Sequence, residues 1–365
     1  MNKEKKNIKK LEEEAKKNSI KRRDNLKKVR YIIYFSIFII MSILTLYYIY
    51  NIFDKPSKIF IFKSLSNSML LFIFILLIIY FLSDGLRLYF VLRTLKCKIN
   101  FRSILKLVFI NMFISNVTPF ATGGGFVQVY FLTQKGVSLG DATAATTIRT
   151  VLATIIIFIT APLAIFTGKN IESMLPLDTL IIYMGVFALL YISFFYIVIF
   201  NNSFVKKIVY KTLYFLRNKK LISEKKFNNI AKYLFEEIDI FGNSLSSFFN
   251  GNKLYLISSI FFAIIFLLSE LSFSVLLIKS LGYTVDYFLV ILRQLVVVFF
   301  MYFAPTPGAT GVAEGGFSLV FKNYVNASDM FPLIFAWRFL TKYIGMIIGL
   351  YIFFRAIFRR SRDND

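Results

Sequence analysis

The chain is 365 residues long, 57% hydrophobic and 18% aromatic, with 44 Lys and Arg against 20 Asp and Glu for a formal net charge of +24. Soluble domains run at about 45–50% apolar with about a quarter of residues charged, so this composition excludes a soluble globular fold and specifies a membrane protein. With no histidine and a single Cys97, a histidine acid/base site, a zinc centre and an intramolecular disulfide are excluded; neither metal nor cofactor is expected, and the basic excess answers to a bilayer rather than to nucleic acid.

Residues 1–30 form a polybasic segment without the apolar core and cleavage site of a signal peptide, so it is expected to be retained. Apolar runs long enough for the roughly 20 helical residues that cross a bilayer follow at Tyr31–Tyr50, Leu65–Leu82, Val151–Phe166, Leu180–Phe200, Leu254–Ile278 and Phe331–Phe354. Two further apolar regions, Leu105–Leu132 and Tyr287–Phe321, are interrupted by Pro and Gly, and each reads as two half-length helices joined by an irregular loop. Between them, residues 201–253 alternate Lys clusters with Phe227, Ile230, Ala231, Leu234 and Ile238 at helical spacing. One or two amphipathic helices are expected there, lying on the cytoplasmic leaflet or capping the bundle. With the N-terminus inside, 34 of the 44 Lys and Arg fall on cytoplasmic segments, which places both termini in the cytoplasm of a multi-pass plasma-membrane protein.

The two interrupted regions are related. Thr118-Pro-Phe-Ala-Thr-Gly123 matches Thr306-Pro-Gly-Ala-Thr-Gly311 at five of six positions, and the same offset carries Asp141 onto Asp329. Arg149 falls one residue from Arg338, and Ser83-Asp84 aligns with Ser269-Glu270. The expected fold is therefore an all-α polytopic membrane protein of two inverted-topology repeats, 31–168 and 179–355, each with spanning helices and a Pro/Gly-broken, re-entrant-type hairpin. Residues 201–253 are an insertion in the second repeat, and 356–365 a cytoplasmic tail. Such repeats are a recurrent transporter architecture with the substrate near the midplane.

Irregular backbone at membrane depth survives only against protein or a polar cavity, which makes the loops candidate substrate elements through Thr118, Pro119, Gly123, Gly124, Gly125, Pro307, Gly308 and Gly311. A helix restarting near Gly125 and another near Glu314 would aim free N–H groups at an anion. A charge at the centre of a span costs ~2.5–3.5 kcal/mol even on the permissive scale, so Arg149, Glu270, Glu314, Arg338 and Lys342 must pair or line water. Arg338 and Lys342, four apart, share a helix face and call for an anionic partner, either Glu314 or a lipid head group. Arg149 would be neutralised by Asp84 or by a bound phosphate. Asp84 reads equally as a solvated helix end, Arg293 as a side chain that snorkels outward, and Asn116 and Gln128 as hydrogen-bond donors to a head group or to freed backbone.

The run from Asn116 to Leu132, the following Lys135-Gly-Val-Ser138 and the run Pro305-Thr-Pro-Gly-Ala-Thr-Gly-Val-Ala-Glu314 resemble the lysylphosphatidylglycerol synthase transmembrane, or flippase-like domain, family over roughly residues 30–355. The resemblance implies a lipid flippase-type membrane domain, fused in some relatives to a soluble aminoacyl-transferase that is not expected here. The expected function is movement of an anionic, aminoacylated or glycosylated lipid between leaflets, with an anionic phospholipid, glycolipid or polyprenyl-phosphate head group bound between the loops. The alternatives are a non-catalytic partner of a separate lipid synthase and an intramembrane lipid-modifying enzyme. Enzymatic activity is not expected.

Overall fold

The computed structural model describes residues 61–167, 177–219, 221 and 223–362, together with 36, 39, 40, 43, 44, 47, 50 and 51. The polybasic segment 1–30 and most of the expected first span lie outside the described residues. Within them every regular element is helical.

Helix α1 (Asn67–Thr94) opens on Ser66, whose hydroxyl accepts the Met69 N–H. Its 28 residues rise about 42 Å, more than the roughly 30 Å of a hydrocarbon layer. The sequence-based span ends at Leu82, where the charges begin. The helix instead runs on for three turns and carries Ser83, Asp84 and Arg87 into the protein interior. Leu71, Phe72 and Phe74 on its first half face outward as a lipid-facing surface should. Four helical stretches are long and apolar enough to cross a bilayer among the described residues: Asn67–Thr94, Leu139–Pro162, Lys253–Ser280 and Ala327–Arg355.

Helix α2 (Phe101–Val117) ends at Thr118, which is extended ahead of Pro119 as the ring of a following proline requires. A short 3-10 turn, Pro119–Ala121, leads into α3 (Thr122–Thr133), which folds back on α2. Helix α4 (Leu139–Thr167) and α5 (Leu177–Phe200) follow. The amphipathic stretch forms two helices, α6 (Asn202–Asn218) and α7 (Glu224–Asn250), which pack together and are tied by Lys206 and Asp239 at 2.6 Å. Helix α7 caps the start of α4, where the Glu237 carboxylate accepts the Gly140 N–H at 2.6 Å and Ser244 donates to Asp141 at 2.5 Å.

Helix α8 (Lys253–Ser280) lies along α1. Tyr80 stacks on Phe266 and Phe90 on Phe262, so the contacts advance along one helix as they retreat along the other, and the pair is antiparallel. Helix α9 (Tyr287–Met301), capped by Asp286, is followed by a second 3-10 turn, Pro307–Ala309, and by α10 (Val312–Phe321). Helix α11 (Ala327–Arg338) runs through a π-helical segment, Phe339–Tyr343, into α12 (Ile344–Arg362). The main core joins Tyr80, Phe158, Phe266, Phe273, Phe299, Phe317 and Trp337. A second contact is closer: α12 approaches α2 so nearly that a Cβ on Gly349 would collide with the Phe109 carbonyl.

Candidate functional site

The two Pro/Gly loops share a backbone over their first four residues and part at the fifth, where Thr122 is helical and Thr310 extended. Thr118 and Thr306 are extended, Pro119 and Pro307 start the turns, and the next two residues are left-handed in both: Phe120 and Ala121 at φ 52° and 54°, Gly308 and Ala309 at φ 61° and 56°. The left-handed conformation costs a residue with a Cβ roughly 1–2 kcal/mol, so the surroundings must hold it. Threonines do this. Thr118 donates to the Ile114 carbonyl at 2.8 Å and accepts the Gly123 N–H at 3.1 Å, while Thr306 donates to the Thr310 carbonyl at 2.7 Å. The two turns pack against each other, which brings the repeated motifs into one place.

The helices restart a little before Gly125 and Glu314, at Thr122 and Val312. Gly123 and Gly124 sit where a Cβ would strike α2, against Ile114 and Ser115 respectively, whereas a Cβ on Gly125 would meet nothing. Gly311 has φ 90°, which only glycine adopts readily. The start of α10 is not a bare anion site, because Glu314 turns back and accepts the Gly311 N–H at 2.7 Å.

Beside the first loop, charged side chains from α1 and α4 meet amide side chains from α3 and α2. Asp84 on α1 receives Arg87 of the same helix and Arg149 of α4, each at 2.6 Å and on the same oxygen, Oδ1. Arg149 also donates to Gln128 of α3 at 3.0 Å, and Gln128 donates to Asn111 of α2 at 2.7 Å. The Arg87 guanidinium stacks over Phe266, 4.0 Å from the ring centre. Asp84 is therefore no solvated helix end: it is 1% exposed, with Arg149 at 5% and Arg87 at 6%. One carboxylate serves two guanidiniums, and Arg87 Nη1 and Arg149 Nε are buried without hydrogen-bond partners. Asn116 stands apart, spending its amide on the Met112 carbonyl one turn back.

In the second half the cations do not share a partner. Arg338 Nε lies 2.8 Å from Glu314 Oε1, both fully buried, in an ion pair whose N–H direction misses a hydrogen bond, and Arg338 Nη2 donates to the Gly308 carbonyl at 2.8 Å. Lys342 reaches Glu270 of α8 at 3.0 Å. Lys342 lies within the π segment Phe339–Tyr343, and each cation is neutralised by its own carboxylate. Arg293 does not snorkel: it is 2% exposed and donates to the Val320 carbonyl and the Tyr324 hydroxyl. A guanidinium with inward partners has no reason to extend toward solvent.

The sequence reading passed over Arg87 as a site residue, and Asn111 and Tyr80 altogether. Tyr80 donates to the Thr341 carbonyl at 3.4 Å and lies in electrostatic range of Glu270, Asp84, Arg87 and Arg149, linking the two halves. The signal for Arg87 was present, a basic residue one turn after Asp84; for Tyr80, one tyrosine among 21, there was none. Among the described residues no group of His, Cys, Asp and Glu is arranged to hold a metal.

Residues 32–349 match the family described as the lysylphosphatidylglycerol synthase TM region. A UPF0104 membrane protein from Archaeoglobus fulgidus is 25% identical over 292 residues, covering 78% of this chain and 85% of its own.

Proposed function

Because the chain belongs to the lysylphosphatidylglycerol synthase transmembrane-region family, we propose that it moves an anionic lipid between leaflets, with the head group received beside the paired Pro/Gly loops. The observation that carries this reading is the cluster of Arg87 and Arg149 on the single carboxylate of Asp84. A net positive charge with unpartnered N–H groups, buried in a low dielectric, is costly unless an anion completes it. A lipid phosphate supplies the charge and several acceptor oxygens, and guanidinium groups suit it better than ammonium.

The architecture in this proposal is a pair of inverted repeats. The antiparallel packing of α1 on α8, the helices that carry Ser83-Asp84 and Ser269-Glu270, supports it, as do the shared loop backbone and the hydroxyl caps of the two equivalent aspartates. Asp141 at the start of α4 accepts from Ser244, and Asp329 at the start of α11 accepts from Tyr283 at 2.7 Å. Both termini and the α6–α7 hairpin are cytoplasmic in this proposal, and the acyl tails remain in the bilayer while the head group crosses.

The test is purified protein in proteoliposomes carrying fluorescent phosphatidylglycerol, with the outer leaflet read by dithionite quenching. Wild type should expose inner-leaflet lipid, and Arg149→Ala should slow the exchange at least about tenfold, the loss of one charge-assisted contact of about 1.5–3 kcal/mol. Unchanged exchange in Arg149→Ala would remove the proposed site. Exchange seen only when a lipid synthase is added would make the protein a partner of that enzyme.

A further inference from the structure

Three carboxylates lie among the charged side chains that the membrane helices enclose, and they differ in what holds them. Asp84 is fixed by two guanidiniums. Glu314 is fully buried, with one oxygen on the Gly311 N–H and the other beside Arg338. Glu270 has a single partner, Lys342, through Oε1, and that lysine side chain is 20% exposed where Arg338 is 0%. Of the three carboxylates this is the one whose cation is partly exposed and the one with the fewest bonds to break.

Tyr80 on α1 and Tyr302 at the end of α9 lie within the electrostatic reach of Glu270, and Lys342 of the π segment pairs with it. Tyr80 also feels Asp84, Arg87 and Arg149, so one tyrosine stands between the arginine cluster and this carboxylate. Arg293 on α9 and Arg338 on α11 are turned away, to Val320 and Glu314. Phe266, one turn before Glu270, lies against the Arg87 guanidinium, so an anion at Arg87 and Arg149 arrives within the same buried field as this carboxylate. Two negative groups close together in a low dielectric favour protonation of the one less firmly paired.

Resting on the lipid-transport reading, we propose that anion movement is coupled to protons, with Glu270 as the proton-carrying residue and Lys342 as its exchangeable partner. Arrival of the lipid phosphate at the arginine pair draws a proton from water onto a Glu270 oxygen. The Lys342 ammonium, relieved of its carboxylate, turns to the head group. Departure of the lipid on the far side reverses both steps, returning the proton to water and Lys342 to Glu270. Lys342 lies within the π segment, a local irregularity of the kind often found at functional sites.

Proton uptake is measured directly in weakly buffered detergent containing a pH indicator, by adding short-chain phosphatidylglycerol to wild type, Glu270→Gln and Lys342→Arg. Wild type and Lys342→Arg should take up about one proton for each anion bound, and Glu270→Gln should bind the anion and take up none. In proteoliposomes, one unit of pH gradient, acid on the side of lipid entry, should shift the wild-type lipid distribution about tenfold, with no shift for Glu270→Gln. Binding and movement without proton uptake by wild type, or equal uptake by Glu270→Gln, overturns the coupling and leaves the lipid reading standing. Neither binding nor movement overturns both. A melting temperature for each variant separates loss of the proton step from loss of the fold.

Discussion

At the scale of single residues, the buried pairs carry different duties. Arg338 and Glu314 fasten the second loop to α11, since Glu314 holds Gly311 and Arg338 holds Gly308. Breaking a buried pair from one side leaves an uncompensated charge and costs about 3–5 kcal/mol, so Glu314→Gln should lower thermal stability by that order, measured by intrinsic fluorescence in detergent. The glycines of the first loop make a sharper contrast. Gly124→Ala should destabilise, because its Cβ meets Asn111 and Ser115, while Gly125→Ala should be neutral or better by about 0.5–1 kcal/mol, since its Cβ meets open space inside a helix. Cys97 is half-buried, and burial, aided by Asp141, pushes its thiol up to about 11. Alkylation needs the thiolate, so modification should be slow at pH 7 and accelerate steadily to pH 10, as mass spectrometry of timed samples would show. That the arginines near the centre of apolar runs would be matched was legible from cost alone. Asp84 for Arg149 and Glu314 for Arg338 were among the partners the sequence offered, each beside a lipid alternative. The pairing of Lys342 with Glu270, 72 residues away, was not legible, because only the packing of helices decides it.

Among elements, α2 and α12 form a seam where a helix meets the backbone of its neighbour. Without a hydrophobic drive between helices in lipid, close association depends on small residues that let backbones meet, and Gly345 and Gly349 serve that purpose against Met112 and the Phe109 carbonyl. Gly349→Leu should force the seam apart and reduce folded yield in size-exclusion chromatography far more than the same change at Gly185, where a Cβ meets nothing. The broken hairpins were readable in advance because Thr-Pro followed by Gly cannot continue a helix. Two features were hidden. The extension of α1 past Leu82 carries charges that ordinarily end a span and that Arg149 and Phe266 of other helices accommodate; the π segment has no sequence signature of its own.

For the whole molecule, two sequence patterns bear on what the proposal adds to the fold: the distribution of Lys and Arg on orientation, and the repeated hexapeptide on the inverted repeats. Cysteines introduced at exposed Lys219 or Tyr233 into a Cys97→Ser background should react with an impermeant maleimide only after the cytoplasmic face of membrane vesicles is opened. Labelling from the outer face would reverse the orientation proposed for the α6–α7 hairpin. The way that hairpin meets the bundle was beyond sequence reasoning. An amphipathic period shows that a face will be covered, but Glu237 and Ser244 choose the start of α4 through hydrogen bonds.

The single carboxylate beneath Arg87 and Arg149 has an electrical consequence. Charge displaced across the membrane couples to voltage at ~2.3 kcal/mol per elementary charge per 100 mV, so a lone anion crossing would be strongly driven by the membrane potential. With the cluster unoccupied and Glu270 paired, the enclosed groups carry a given excess of positive charge. With a monoanion at the arginines and a proton on Glu270, they carry the same excess, because the negative charge gained equals the negative charge neutralised. Loaded and unloaded forms then feel one and the same force, and a full cycle passes no current. Polarising the vesicles with a potassium gradient and valinomycin should therefore leave the rate of lipid exchange as it was.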